Sequence, residues 1–238
     1  MYKVRMRFSK NGYMIFISHL DLVRMVERVL RRANIPIAFT QGFNPHPKIS
    51  FATALALGVS SDGEYIDIEI QEKIDLSILK NRINEQLPDG IKIIKCKYID
   101  VKSKALMAIV EQSKYMVRCS LKNDVSEELL RREILNFMRN EEILMHKIIK
   151  KKNKEKKKEI NIRPLIKNLE FVSKDHLQCI FSMIVATGSK GNLKPEVVIE
   201  KLIEKTEIPI LLQKIRIHRL ELYGVIDGEL VTPFEITR

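Results

Sequence analysis

Residues 18–51, SHLDLVRMVERVLRRANIPIAFTQGFNPHPKISF, decide how the chain is read. Ser18 is placed to cap a helix, and Asp21 three residues later makes a variant of the capping box. Acid in the first turn and arginine in the last both suit the helix dipole. Leu22, Val26, Val29 and Ala33 form one apolar stripe, with Met25 and Leu30 beside it. Arg24, Arg28, Arg31 and Arg32 are spaced three and four apart, which predicts a shared basic face. Pro36 ends the helix and opens an extended run, IPIAFTQ. GFNPHPK then packs two prolines, a glycine and a histidine into one site-like loop.

Working outward, residues 2–8 alternate as a strand, Lys10–Gly12 is a turn, and 13–17 continue extended to Ser18. Strands are expected near 36–40 and through KISFATALAL. EYIDIEI (64–70) alternates strictly, with Tyr65, Asp67 and Glu69 on one face and three isoleucines on the other. Asp75 caps a helix carrying Leu76, Leu79 and Ile83, Pro88-Asp89-Gly90 stops it, and 91–99 form a strand. Residues 101–112 read as a short helical connector. The order then returns: strand 114–121, helix 126–140 capped by Ser126, and extended runs ILMHKIIKK and EINIRPLI around a lysine-rich turn. Strand 176–186, helix PEVVIEKLIEKT with Pro195 in its first turn, and strand 214–223 follow. The tail is expected to form a hairpin around Asp227-Gly228. This order predicts an α+β chain of two tandem ferredoxin-like (βαββαβ) domains with antiparallel sheets. The expected divisions are 1–100, a connector at 101–113, and 114–238 with a lysine-rich hairpin tip.

The chain has 238 residues, 45% of them apolar, and a formal net charge of +12, which favours an anionic partner, nucleic acid first. Residues 147–158 hold eight lysines and one glutamate, so the rest of the chain carries only +5. Cys96, Cys119 and Cys179 have no zinc or iron–sulfur spacing and read as buried reduced thiols. Their odd count and the absence of a signal peptide point to the cytoplasm, and no apolar run approaches a membrane span. No cofactor or metal is implied.

Several constellations suit RNA. The four arginines offer planar forks for phosphates. In the loop, Gln41 and Asn44 offer base-edge hydrogen bonds, Phe43 a ring for stacking and Lys48 a cation. Phe43 is weighed as core filler ahead of stacking. Lys150, Lys151 and Lys152 at the hairpin tip suit sequence-independent phosphate contact, and Arg163 sits at the hairpin root. Lys190 and Lys194, in GSKGNLK before a helix, suit an anion site that is not a Walker motif. His19 and His46 are the candidate acid/base pair of a metal-independent RNA-processing endonuclease. They are expected to meet at one end of the helix, with the loop and the arginines forming one continuous site.

SHLDLVRMVERVLRRANIP, QGFNPHPKISFA, GVSSDGEYIDIEI, EINIRPLI and GNLKPEVV together resemble the bacterial radical-SAM-linked protein family, a domain of unknown function. Its members are encoded beside, or fused to, radical SAM proteins, so the resemblance implies a radical SAM enzyme as partner. This chain lacks the three-cysteine motif of such an enzyme. A weaker likeness is to the ferredoxin-like RNA-processing proteins of CRISPR systems. The expectation is an RNA-binding accessory protein that presents structured RNA, tRNA or rRNA, to that enzyme, more in keeping with a non-enzyme. The alternatives are the endonuclease and a protein-only adaptor.

Overall fold

The computed structural model describes residues 1–151, 154–189 and 191–236, and their side chains apart from those of 147–157. It is a mixed α/β protein whose strands pair mostly antiparallel. In order come β1 (Tyr2–Lys10), a 3₁₀ helix (Gly12–Phe16), α1 (His19–Arg32), β2 (Ile49–Phe51), β3 (Ser60–Ile70), α2 (Leu76–Gln86), β4 (Ile91–Ile99) and α3 (Leu106–Ile109). Then follow β5 (Gln112–Leu121), α4 (Glu127–Arg139), β6 (Leu144–Lys151), β7 (Lys154–Asn161), a 3₁₀ turn (Arg163–Leu165), β8 (Ile166–Asp175) and β9 (Gln178–Ala186). α5 (Pro195–Lys205), β10 (Ile210–Ile226) and β11 (Glu229–Val231) close the chain. Among the described residues no helix is long and apolar enough to cross a membrane.

The chain divides into two compact units, Met1–Ser113 with His218–Arg238, and Lys114–Ile217. In the first, β1 pairs antiparallel with β3 and β4, and β2 pairs antiparallel with β3. The second half of β10 meets β3 in parallel at Ser60 and Ser61. Gly63 permits that approach, since a Cβ there would lie 2.5 Å from the Leu220 carbonyl oxygen. Val4, Met6 and Phe8 of β1 and Ile66, Ile68 and Ile70 of β3 bury one face with Leu22, Val29 and Leu30 of α1 and Leu79 and Ile83 of α2. Burying these side chains contributes on the order of 1.5–3 kcal/mol each.

The other face of the same strands is charged, and it is buried too. Arg5 lies directly opposite Asp67 in the β1–β3 register. Its Nε and Nη2 donate to the two carboxylate oxygens at 2.8 and 2.9 Å. Its Nη1 donates to the carbonyls of Pro233 and Ile236. Lys3 lies 3.7 Å from the same carboxylate, and Lys97 donates to the Phe234 carbonyl at 2.8 Å. Beside this clamp, Tyr65, Leu106, Ile109, Leu222 and Phe234 form a second apolar cluster. The closing segment therefore belongs to the first unit, although the sequence pattern alone places it within 114–238. The expected tail hairpin is present: β11 returns on β10 through Asp227 and Gly228, both at positive φ as a type I′ turn requires.

In the second unit the strands follow the order β10 (first half), β5, β9, β8. β6 and β7 form a separate two-stranded hairpin. Cys119 and Cys179 are buried, and the Cys119 thiol is held above its ordinary range by its hydrogen bond to Cys179 and by burial. The helix caps follow expectation: Ser18, Asp75 and Ser126 each accept from backbone N–H groups of the first turn. Four strand readings need correction. Residues 13–17 are largely 3₁₀ helix with no residue buried, entered through Gly12 at φ +57°. The expected strand 36–40 reduces to two single bridges, Ile37 to Ile70 and Phe39 to Pro47, because Pro36 and Pro47 lack a ladder donor. KISFATALAL holds only the three residues of β2. EINIRPLI breaks at Asn161, and β8 follows, which the reading missed; register shifts at 166–168 and 171–173 destroy its period of two.

Arg5→Met is expected to lower unfolding stability by about 3 kcal/mol, since the buried Asp67 loses both guanidinium hydrogen bonds and keeps only Lys3, 3.7 Å away. Adding Asp67→Leu should restore most of that loss. Urea melts of both variants check this, and a single variant as stable as wild type would make the clamp dispensable.

Candidate nucleic-acid interface

Leu22, Val29 and Leu30 are buried, which turns the arginines of α1 to solvent. They share one face of the helix but border two different clefts. At about 100° per residue the four positions span roughly a 100° arc, with Arg31 at one edge and Arg32 at the other. Arg24, Arg28 and Arg32, with Asp21 and Met25, line a groove of about 550 Å³ whose opposite wall is Gln86, Leu87 and Pro88 after α2. Arg31 lies on the other flank, in a cleft of about 300 Å³ with Glu27, Leu30, Ile35, Phe39 and Pro47. Arg32 Nη2 donates to the Gln86 carbonyl at 2.8 Å and ties the two walls together. Arg24 lies 3.8 Å from Asp21, both well exposed, and Asp21 already accepts from Ser18 Oγ at 2.6 Å. Among the described residues Arg28 has no ion pair, and none joins Glu27 to Arg31. A row of lightly engaged guanidinium groups at an open groove can take an anionic strand with little rearrangement.

The loop after α1 closes on itself. Thr40 N–H donates to the His46 carbonyl, and His46 N–H donates to Thr40 Oγ1, both at 2.9 Å. Gln41, Phe43, Asn44 and His46 are exposed. Phe43, expected to plug the core, stands fully in solvent, since its self-closed loop offers no interior to enter. Lys48 is half-buried and spent on Glu69 at 2.7 Å. The His19 ring lies edge-on to Phe51, centroids 5.3 Å apart. His46 precedes Pro47, at the opposite end of the segment leading into β2. Among the described residues no hydrogen bond or ring contact joins His19 to His46: His19 packs on Phe51, and His46 bonds Thr40. Arg31, Phe39 and Pro47 do join the loop base to one flank of α1.

In the second unit, Arg163 is engaged. Nε and Nη2 both donate to the Met138 carbonyl, at 3.0 and 2.7 Å, and Nη1 to that of Ile166 at 3.0 Å. It holds the end of α4 to the start of β8. Lys194 is the exposed residue before α5. Lys152 and Lys190 lie outside the described residues, as do the side chains of Lys150 and Lys151.

Sequence reasoning missed three features. The first is the groove wall at 86–88, whose place beside α1 depends on tertiary packing. The second is a pair of exposed aromatics, Tyr13 and Phe16, for which Gly12 before two aromatics was the available signal. The third is a polar chain: Ser60 Oγ lies 2.8 Å from His218 Nδ1, and His218 Nε2 lies 3.1 Å from Asp62. It ties β10 to the start of β3 across residues far apart in sequence. Among the described residues no group of three or more His, Cys, Asp or Glu side chains is placed to hold a metal ion.

The chain belongs to a family of uncharacterized proteins conserved in bacteria, DUF2344, whose model matches residues 3–195. No curated protein matches it. Among solved structures it is similar to a chain of a Cbf5–Nop10–Gar1 complex, at 12% identity and TM-score 0.50, over 92% of this chain and 48% of that one. An archaeal box H/ACA sRNP Nop10–Cbf5 complex matches at 11% and 0.47, over 91% and 46%. An H/ACA RNP bound to a substrate RNA containing 2′-deoxyuridine matches at 12% and 0.46, over 91% and 46%. The chain spans about half the length of the chains it matches. At this identity the likeness is one of fold.

Arg163→Ala is expected to cost about 2–3 kcal/mol in urea melts, through loss of charge-assisted hydrogen bonds. Retention on an anionic column should be unchanged. Earlier elution with unaltered stability would instead make Arg163 a surface cation.

Proposed function

We propose that this DUF2344 protein is an RNA-binding accessory protein that presents structured RNA, tRNA or rRNA, to a partner radical SAM enzyme. The observation that carries the RNA reading is the groove in which Arg24, Arg28 and Arg32 face the wall at Gln86–Pro88. The row is about 12 Å long at 1.5 Å rise per residue, enough to follow successive phosphates. The net charge of +12 supplies the long-range attraction. The radical SAM partner rests on the sequence motifs alone. Gln41, Phe43, Asn44 and Lys194 remain secondary candidates for RNA contact on their exposure, and Arg31 on its place beside the loop base.

We read each unit as ferredoxin-like. β1-α1-β2-β3-α2-β4 gives the sheet order β4-β1-β3 with β2 on β3, and β5-α4-β8-β9-α5-β10 gives β10-β5-β9-β8. Both are βαββαβ series in which the first and third strands are central.

A salt titration of RNA binding tests the reading. The wild type should show a log–log slope that shrinks by about 0.7 for each single-strand phosphate contact removed, and Arg28→Glu should reduce it with little change in stability. A wild-type slope near zero would leave a protein-only adaptor. Purified protein should leave the RNA uncut. Metal-independent cleavage abolished by His46→Ala, in a folded variant, would establish the endonuclease instead.

A further inference from the structure

The 3₁₀ helix Gly12–Phe16 buries none of its residues. Tyr13 is 92% exposed and Phe16 67%. In a 3₁₀ helix residues three apart eclipse one another, so the two rings leave the same side. The backbone that carries them is held firmly. Asn11 N–H donates to the Gly90 carbonyl at 2.7 Å, and Gly58 N–H to the Ile15 carbonyl at 3.0 Å. The buried Lys10 Nζ donates to the Ile17 carbonyl at 3.1 Å. Gly90 is required for this seating, since a Cβ there would lie 2.5 Å from the Asn11 carbonyl oxygen.

The same seating brings the segment that carries the rings next to the arginine groove. Pro88, two residues before Gly90, is part of the groove wall. On the other side, Ser18 follows Phe16 by two residues and caps the helix whose first turns give Asp21 and Arg24 to the groove. The backbone that carries Tyr13 and Phe16 thus enters α1 at the Arg24 end of the groove, with Arg28 and Arg32 leading away.

We propose that Tyr13 and Phe16 are a stacking platform for unpaired bases of a single-stranded RNA segment whose phosphates run along Arg24, Arg28 and Arg32. This rests on the RNA-binding reading and narrows it to a strand class. Solvent-facing rings on the segment that leads into a cationic groove match a ligand that is anionic along its backbone and aromatic along its bases. A duplex turns its base faces inward and cannot use the rings. A protein partner would bring apolar side chains to the rings, yet would need carboxylates in a row for the arginines. The one acid in the groove, Asp21, is already held by Ser18 and Arg24.

The test is fluorescence anisotropy with three ligands of equal length: a single-stranded oligoadenylate, the same strand with abasic sites, and an RNA duplex. Tyr13→Ala/Phe16→Ala should weaken the intact strand about tenfold or more, the scale of lost base stacking, without changing the salt slope. Binding of the abasic strand and the duplex should stay as in wild type. Tyr13→Trp should keep the affinity and add a reporter, since the chain has no tryptophan, and its emission should fall when the intact strand binds. Unaltered binding of the intact strand by the folded double variant overturns the platform. So does an equal loss on all three ligands. Unaltered RNA binding with loss of captured protein partner would assign the rings to a protein and overturn it likewise. If wild type binds none of the ligands, the RNA reading itself falls, which separates its failure from that of the platform.

Discussion

The buried pair of Arg5 and Asp67 sets the terms for the first unit. It joins the middle strands β1 and β3 at opposed positions, and the same guanidinium closes on two carbonyls of the tail. A carboxylate this far from water is tolerable only when its oxygens are matched by charged donors. With both strand faces covered, one by the helices and one by the tail, the strands are fixed and α1 is seated from beneath. Only one register of β1 on β3 brings Arg5 opposite Asp67, so a slip of that pairing would leave both charges buried without each other.

The groove follows from that seating. α1 and α2 bury their apolar faces on the same strands, and the space between their outer surfaces is what Arg24, Arg28 and Arg32 line. The arginines are long and amphipathic, so their stems cover the helix flank while the forks stay in solvent. The 3₁₀ helix before α1 is anchored to the turn after α2, which carries the groove wall toward Tyr13 and Phe16. Basic groove and aromatic pair are therefore two consequences of one packing arrangement.

What was legible in the sequence was local. The caps at Ser18, Asp75 and Ser126, the apolar stripe of α1 and the alternation of β3 all follow from nearest-neighbour chemistry and read correctly. Burial of polar faces did not. Tyr65 and Asp67 alternate with isoleucines as on a solvent-facing strand, yet both are buried, because a partner strand and the distant tail supply the missing donors and cover. The spacing of the four arginines predicts one face, and what it could not show is that tertiary packing sets Arg31, at the edge of that face, in a different cleft from the other three. Arg163 looked like a free cation because the carbonyls it binds, Met138 and Ile166, carry no sequence signal as acceptors. Phe43 failed the opposite way: an aromatic in a loop reads as buried until the loop is seen to close on itself.

The central claim is that RNA lies along α1 and the short helix before it. Ultraviolet crosslinking of the purified protein to a photoreactive RNA strand, with the attached peptides mapped by mass spectrometry, tests that claim most directly. The account predicts attachment within residues 12–32, centred on Tyr13, Phe16 and the arginine row. Crosslinks confined to the lysine-rich hairpin at 147–158, or to the second unit alone, would contradict it.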